Sequence, residues 1–425
     1  MPDTIFALSS GGPPAAIGVI RISGDAAGEA LVQLAGRKPE PRRAVLRGLR
    51  TAEGELLDRA LVLWFPGPAS STGEDLAELH LHGGRAVIAA VEHALGGIEK
   101  LRRATPGEFT RRAFANGRID LAEAEGLADL LEAETELQRK SALALAGGAL
   151  SREVESWRAQ LLALSASVEA VLDFSDEDDV AALPADFSER TSHLATEISG
   201  WLKRPRAQVL REGFKVVLGG PPNSGKSSIF NVVLESDAAI VSPLAGTTRD
   251  VLIRSVAIDG VPFQFVDTAG VREETADPIE LEGIGRARNA FDNADLVLWL
   301  GPEGEGPAGS WELETRSDLP ERERKDEPRH VVSAVTGEGV PEMLADLAET
   351  ARRAMPNPGE IALNERQGRL LEIASGALVD VASQRDPLLV AEGLRSARVA
   401  FDALLGRTTT EDMLDALFGR FCIGK

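Results

Sequence analysis

Residues 220–227 read Gly220-Pro221-Pro222-Asn223-Ser224-Gly225-Lys226-Ser227, a complete G-x-x-x-x-G-K-S sequence. Ahead of it lies an apolar run, 214–218, short enough for a buried strand, and behind it a helix-forming run, 228–234. That order predicts a phosphate-binding loop and therefore a nucleotide-triphosphate site. Each part has a physical reason. Glycines let backbone N–H groups curl around the phosphates, Lys226 brings charge to the β- and γ-phosphates, Ser227 offers a hydroxyl to Mg²⁺, and the helix start adds its dipole.

The residues downstream narrow the nucleotide. Ala245-Gly246-Thr247-Thr248-Arg249-Asp250 follows the first helix, and a strand over 262–266 ends in Asp267-Thr268-Ala269-Gly270. A threonine after that helix can reach Mg²⁺ and sense the γ-phosphate, while an aspartate closing the next strand holds the metal through water. The three motifs in this order describe a GTPase switch apparatus. A fourth, Ser333-Ala334-Val335 after a strand over 330–332, stands where GTPases set a backbone amide on the guanine O6. The base-reading Asn-Lys-x-Asp is imperfect, its best candidate being Thr315-Arg316-Ser317-Asp318. Asp318 still accepts from guanine N1 and N2, which adenine cannot match, and Arg316 replaces the stacking lysine. Guanine preference is expected, weakened by the loss of Asn to Thr315; a plain surface loop is the alternative.

Composition bounds the rest. A chain of 425 residues is too long for one core and implies two or three domains. The single cysteine, Cys422, rules out an intramolecular disulfide and fits a cytoplasmic location, and the start Met1-Pro2-Asp3-Thr4 lacks the layout of a signal peptide. No apolar stretch approaches the roughly 18 residues of a membrane helix, so no membrane partner is expected. A net charge of −21 argues against a broad nucleic-acid-binding face. Any RNA contact must be local, and the densest basic segment runs from Lys100, Arg102 and Arg103 through Arg111 and Arg112 to Arg118. Its plainest reading is a solvated face.

Changes of hydrophobic period mark the organisation. Residues 1–118 mix β-type runs (17–22, 60–65, 76–81) with turns such as Pro66-Gly67-Pro68 and one helical pattern over 24–34, which predicts a compact α+β domain. From Leu121 the period is helical. Leu150, Val154, Trp157, Leu161, Leu164, Val168 and Val171 form one apolar stripe that must pack on other helices, with candidate partners at Leu371, Ala374, Leu378, Val381 and at Leu394, Ala397, Phe401, Leu404. A capping box, Thr408-x-x-Glu411, announces a last helix carrying Leu414, Leu417, Phe418 and Phe421, with Cys422 as a small buried hydrophobe at its end. Arg211-Glu212-Gly213 leads into the nucleotide domain and Pro356-Asn357-Pro358-Gly359 leads out. The expected fold is multidomain α/β plus α: an N-terminal α+β domain over 1–118, a discontinuous helical domain over 119–212 and 356–425, and an inserted Ras-like P-loop GTPase domain over 213–355.

The chain also resembles a known family. Val19-Ile20-Arg21-Ile22-Ser23-Gly24, Pro66-Gly67-Pro68, Thr72-Gly73-Glu74-Asp75, His82-Gly83-Gly84, Ala104-Thr105-Pro106-Gly107-Glu108-Phe109, the Gly246-Thr247-Thr248-Arg249-Asp250 switch and the terminal Phe421-Cys422-Ile423-Gly424-Lys425 together look like the MnmE (TrmE) family of tRNA modification GTPases. The likeness runs nearly end to end, and the Cys-Ile-Gly-Lys terminus is its most specific element.

The resemblance implies a homodimer that works with the flavoprotein MnmG to place an aminomethyl or carboxymethylaminomethyl group on C5 of the wobble uridine of certain tRNAs. The one-carbon unit would come from a tetrahydrofolate derivative, 5-formyl or 5,10-methylene, bound by a folate-binding-like N-terminal domain at positions matching Arg21, Glu78, Arg118 and Lys425. Arg118 stands where the family has lysine, which keeps charge and changes geometry. The implied GTP site comprises Gly220, Asn223, Ser224, Gly225, Lys226, Ser227 and Ser228, then Ser242, Pro243, Leu244, Ala245, Gly246, Thr247 and Thr248, then Asp267, Thr268, Ala269 and Gly270, and finally Thr315, Asp318, Ser333, Ala334 and Val335. Ser227 and Thr248 would hold Mg²⁺, and Asn223 with Ser242, Leu244 and Thr247 would hold K⁺, with Arg249 the rival source of positive charge. Val271 occupies the place of the Ras glutamine and cannot orient water; the family's glutamate aligns with Glu280 if one extra residue is allowed within 272–278, an insertion that makes Glu282 the rival assignment. Cys422 falls at the implied modification site. His80 and His82 share a strand face, but no third ligand is identifiable and no metal is expected there. Outside this family, the competing readings are an Era/EngA-like RNA- or ribosome-binding switch and an inactive GTPase-like scaffold.

Overall fold

The computed structural model describes residues 3–173, 183–204, 207–236, 239–241, 252–267, 290–322, 324–357, 359–408 and 410–425. They fall into two compact units, one made of Met1–Ala128 with Phe401–Lys425 and the other of Asp129–Ala400.

The first unit is built on a six-stranded sheet of β1 (Thr4–Leu8), β2 (Ile17–Ser23), β3 (Val45–Arg50), β4 (Leu56–Phe65), β5 (Leu76–His82) and β6 (Leu101–Arg103), in the order β3-β4-β5-β2-β1-β6. The period of two sorts its residues. In β2, Gly18, Ile20 and Ile22 are buried while Ile17, Val19 and Arg21 point the other way. The inner face joins helices Ala27–Ala35 and Arg85–Gly96 in a core that includes Phe6, Ile20, Leu31, Trp64, Leu79 and Val91. The outer face keeps a cross-strand row of Leu46, Leu61, His80 and Val19, with Leu46 61% and Ile17 57% exposed.

Residues from the far end of the sequence complete this unit. Leu414, Leu417, Phe418 and Phe421 form one cluster with Leu121, Ala124 and Ala128. Gly107 makes the close approach possible: it lies at φ 70°, and a Cβ there would stand 2.1 Å from the carbonyl oxygen of Phe418. The expected capping box at Thr408 and Glu411 does not form. The helix spans Glu411–Phe418 with Thr410 at its N-cap and no side-chain cap bond, so Glu411 is its first residue rather than its third. Because this helix ends before Cys422, the thiol is exposed, contrary to the buried hydrophobe expected.

In the second unit the predicted stripe lies on one helix, Ala149–Asp173, with all seven of its apolar residues buried. Its partner is Phe187–Leu202, a helix not anticipated from the apolar pattern, and Trp157 meets Trp201 edge-on with ring centroids 5.7 Å apart. Glu365–Ser383 packs along the same helix, where Ser188 Oγ donates to the Ala382 carbonyl at 2.7 Å.

The rest of this unit is a seven-stranded sheet of β7 (Phe214–Gly219), β8 (Ala239–Val241), β9 (Leu252–Ile258), β10 (Val261–Asp267), β11 (Leu296–Trp299), β12 (Trp311–Glu314) and β13 (His330–Val331), in the order β13-β12-β11-β7-β10-β9-β8. Strands β13, β12, β11, β7 and β10 are mutually parallel, and β8, β9 and β10 are joined antiparallel. Phe214, Val216, Leu218, Phe263, Phe265 and Leu298 fill the core beneath helices Lys226–Glu235 and Val340–Ala354. Ligands of such sheets bind beyond the carboxyl ends of the parallel strands.

Candidate nucleotide site

The loop after β7 has the backbone its sequence demands. Gly220 (φ 143°) and Gly225 (φ 100°) occupy left-handed conformations that need glycine, and Asn223 adopts φ 62°, which asparagine tolerates better than most residues. Lys226 begins the following helix and is buried; its Nζ donates to the carbonyls of Gly220 at 2.8 Å and Pro221 at 2.7 Å. The ammonium therefore lies across the loop. Ser224 Oγ is a buried hydroxyl without a hydrogen-bond partner, an arrangement that suits a phosphate-binding cradle.

At the end of β10, Asp267 is buried and accepts from Ser227 Oγ at 2.9 Å. A hydroxyl and a carboxylate side by side at the mouth of the loop form a hard-oxygen pair suited to a divalent cation. Ser228, the next residue of the helix, is exposed. The chain thus brings together four of the segments singled out by sequence, since the base-reading candidates close the site from the other side. Thr315 follows β12 directly, and its Oγ1 donates to the Ser224 carbonyl at 3.0 Å; Arg316, held at φ 60°, donates to the carbonyl of Asn223. That contact uses the main chain of Asn223 and not its side-chain amide. Ser333 Oγ donates to Asp318 Oδ1 at 2.6 Å and accepts from the amides of Val335 and Thr336 at 3.2 and 3.1 Å. The Ala334 amide of this turn is not among those that Ser333 Oγ accepts from.

Several candidates lie outside the described residues: Ser242, Pro243, Leu244, Ala245, Gly246, Thr247, Thr248 and Arg249 of the first switch, and Thr268, Ala269, Gly270, Glu280 and Glu282 of the second.

In the first unit, Arg21 and Glu78 are cross-strand partners on the outer face of the sheet. Arg21 Nε donates to Glu78 Oε1 at 2.8 Å, and His80 Nε2 lies 3.2 Å from Oε2. Only one nitrogen of the Arg21 fork is spent on Glu78, which leaves its outer nitrogens as donors for an anionic ligand. His82 turns instead to Asp58, at 2.7 Å. Arg118 is exposed in the turn after helix Glu108–Ala115, beside Gly73. Lys425 ends a tail seated on β1: Ser9 Oγ donates to the Gly424 carbonyl at 2.8 Å, and a Cβ on Gly424 would stand 2.1 Å from the Leu8 carbonyl oxygen. The basic segment is largely neutralised, with Arg112 alone bonded to Asp3, Glu74 and Glu108.

Comparison with known proteins gives this geometry its context. Residues 4–118 match the family described as GTP-binding protein TrmE N-terminus, and residues 121–422 match the MnmE helical domain. The chain belongs to the MnmE family of tRNA modification GTPases. MnmE of Novosphingobium aromaticivorans is 62% identical over 100% of both chains, and MnmE of Erythrobacter litoralis is likewise 62% identical over 100% of both. MnmE of Rhizorhabdus wittichii is 55% identical over 100% of this chain and 97% of its own. Among solved structures, the G domain of the T. maritima FeoB iron transporter aligns at 24% identity and a TM-score of 0.23, covering 32% of this chain and 98% of that one. No helix among the described residues is long and apolar enough to cross a membrane.

Proposed function

We propose that this chain hydrolyses GTP in the service of tRNA modification and, with the flavoprotein MnmG, adds an aminomethyl or carboxymethylaminomethyl group to C5 of the wobble uridine of certain tRNAs. The observation that carries the nucleotide half is the contact of the 315–318 segment with the phosphate loop, from Thr315 to Ser224 and from Arg316 to Asn223. It supports a reading in which the 315–318 segment and the phosphate loop serve one ligand.

In this reading the loop amides and Lys226 hold the β- and γ-phosphates. Asp318 accepts from guanine N1 and N2, and the Ala334 amide meets O6. Ser227, with Asp267 behind it and Thr248 from the first switch, would hold Mg²⁺, which supplies charge to the phosphate oxygens. Asn223, with main-chain carbonyls of Ser242, Leu244 and Thr247, would hold K⁺, and Glu280 would orient the attacking water. Arg21, Glu78, Arg118 and Lys425 would bind the tetrahydrofolate derivative, with Cys422 near the reacting carbon. The uncovered apolar row of Leu46, Leu61 and Val19, continued by Ile17, supports a homodimer formed through the N-terminal domain. The domains follow as 1–118, then 119–212 with 356–425, and 213–355.

The test is GTP turnover by the purified chain with and without 5-formyltetrahydrofolate, followed by assay of modified uridine in tRNA once the flavoprotein is added. A chain that turns over no GTP, or that leaves uridine unchanged in the complete mixture, overturns the proposal.

A further inference from the structure

Nothing in the sequence singles out Glu314 or Arg322, yet they join the end of a core strand to the segment that carries Asp318. Glu314 closes β12 and is 5% exposed. Both its oxygens are taken, Oε1 by Arg322 Nε at 2.6 Å and Oε2 by the Lys325 amide at 3.0 Å. A buried carboxylate needs such partners, and the Arg322 hydrogen bond, set against burial, keeps its pKa below the usual glutamate range. The same guanidinium reaches forward as well. Its Nη1 donates to the carbonyls of Ser317 and Leu319, each at 3.4 Å. Those are the two residues on either side of Asp318. Farther along, Lys325 Nζ donates to the Trp299 carbonyl at 2.9 Å and to Glu312, which ties the end of the loop to β11 and β12.

This brace stands where the chain has lost another. Asparagine in place of Thr315 would offer two donors and an acceptor, whereas the Thr315 hydroxyl makes one bond to Ser224. On its far side Asp318 is held by Ser333.

We propose that Arg322, seated on Glu314, is a positioning residue for nucleotide selection: it holds the carbonyls flanking Asp318 and so aims that carboxylate at the base. The inference rests on the reading of Asp318 as the guanine acceptor. Arg322 acts through the Ser317 and Leu319 carbonyls. Its effect falls on discrimination, because a carboxylate turned away from its line can keep the bond to N1 and lose the one to the 2-amino group.

Inosine triphosphate lacks that amino group, so KM and kcat for GTP and inosine triphosphate measure the aim directly. Arg322→Lys keeps a cation beside Glu314 but cannot span to two carbonyls. It should retain kcat and lower the GTP preference roughly fivefold, a part of the roughly tenfold or more that a whole hydrogen bond to a charged acceptor is worth, with Arg322→Gln lower still. Equal weakening of both nucleotides, or an unchanged preference in Arg322→Lys, overturns the proposal even if Arg322→Gln fails to fold. Asp318→Asn run in parallel separates the two readings. If it abolishes the GTP preference and Arg322→Lys does not, only the role of Arg322 falls; if it too leaves the preference intact, the guanine reading falls and takes this inference with it.

Discussion

Ser333 Oγ donates to Asp318 Oδ1 at 2.6 Å, and the same hydroxyl caps the turn that carries Ala334. One serine thus fixes both the carboxylate and the turn that are proposed to meet the base. Replacing Asp318 with Asn puts a donor where guanine needs an acceptor, and xanthine presents an oxygen there instead. Asp318→Asn should shift preference from GTP toward xanthosine triphosphate by roughly tenfold or more. Unchanged GTP affinity in that variant removes 315–318 from the site.

The side-chain amide of Asn223 stays out of the Arg316 contact, which engages its carbonyl. GTP turnover should be much faster in KCl than in NaCl at equal ionic strength, and Asn223→Ala should erase the difference. Equal rates in the two salts would return attention to Arg249.

Arg21 spends one nitrogen on Glu78, and its outer nitrogens are proposed to meet the folate. Arg21→Ala should weaken 5-formyltetrahydrofolate binding severalfold or more, since a hydrogen bond to a charged group is worth about 1.5–3 kcal/mol. Calorimetry reads this directly, with GTP binding as the fold control. Wild-type affinity for the folate excludes Arg21 from the pocket.

Burial raises the Glu108 pKa, but hydrogen bonds from Arg102, the Thr105 amide and Arg112 outweigh it and bring the carboxyl down to about 2 from 4.5. A depressed folded-state pKa means stability that is complete above the unfolded value and is lost as pH falls between about 4.5 and about 2. Glu108→Gln should flatten the decline of Tm across that window. A parallel decline in both proteins assigns the acid sensitivity to other carboxylates.

Trp157 is 1% exposed and meets Trp201 edge-on. Trp157→Ala should destabilise the helical part of its unit by about 3–5 kcal/mol, seen in chemical denaturation. A loss below about 1 kcal/mol would mean that the neighbouring helices collapse into the space.

The legible features were those encoded locally. A phosphate loop is one contiguous segment, and the stripe from Leu150 to Val171 announces its helix by spacing alone. The helix Phe187–Leu202 was harder to see because its buried face includes Thr191, whose hydroxyl is satisfied by the Phe187 carbonyl at 2.8 Å. Leu194, Ile198 and Trp201, at spacings of four and three, carried the signal. The burial expected of Cys422 fails because the helix before it stops at Phe418, where its apolar face packs on residues distant in sequence. The Arg322–Glu314 brace is likewise a tertiary fact that no motif announces.

The unit that carries Arg21 and Glu78 is finished by Phe401–Lys425, whereas the strands of the nucleotide-binding sheet lie within one continuous run, Phe214 to Val331. During synthesis the first unit to leave the ribosome is therefore the last to be completed. A nascent chain stalled before residue 401 carries a finished nucleotide-binding sheet and an N-terminal unit whose helical residues Leu121, Ala124 and Ala128 still lack their partners Leu414, Leu417 and Phe418. Quality control that recognises exposed apolar surface would meet this chain at its beginning, while its final residues are still being translated.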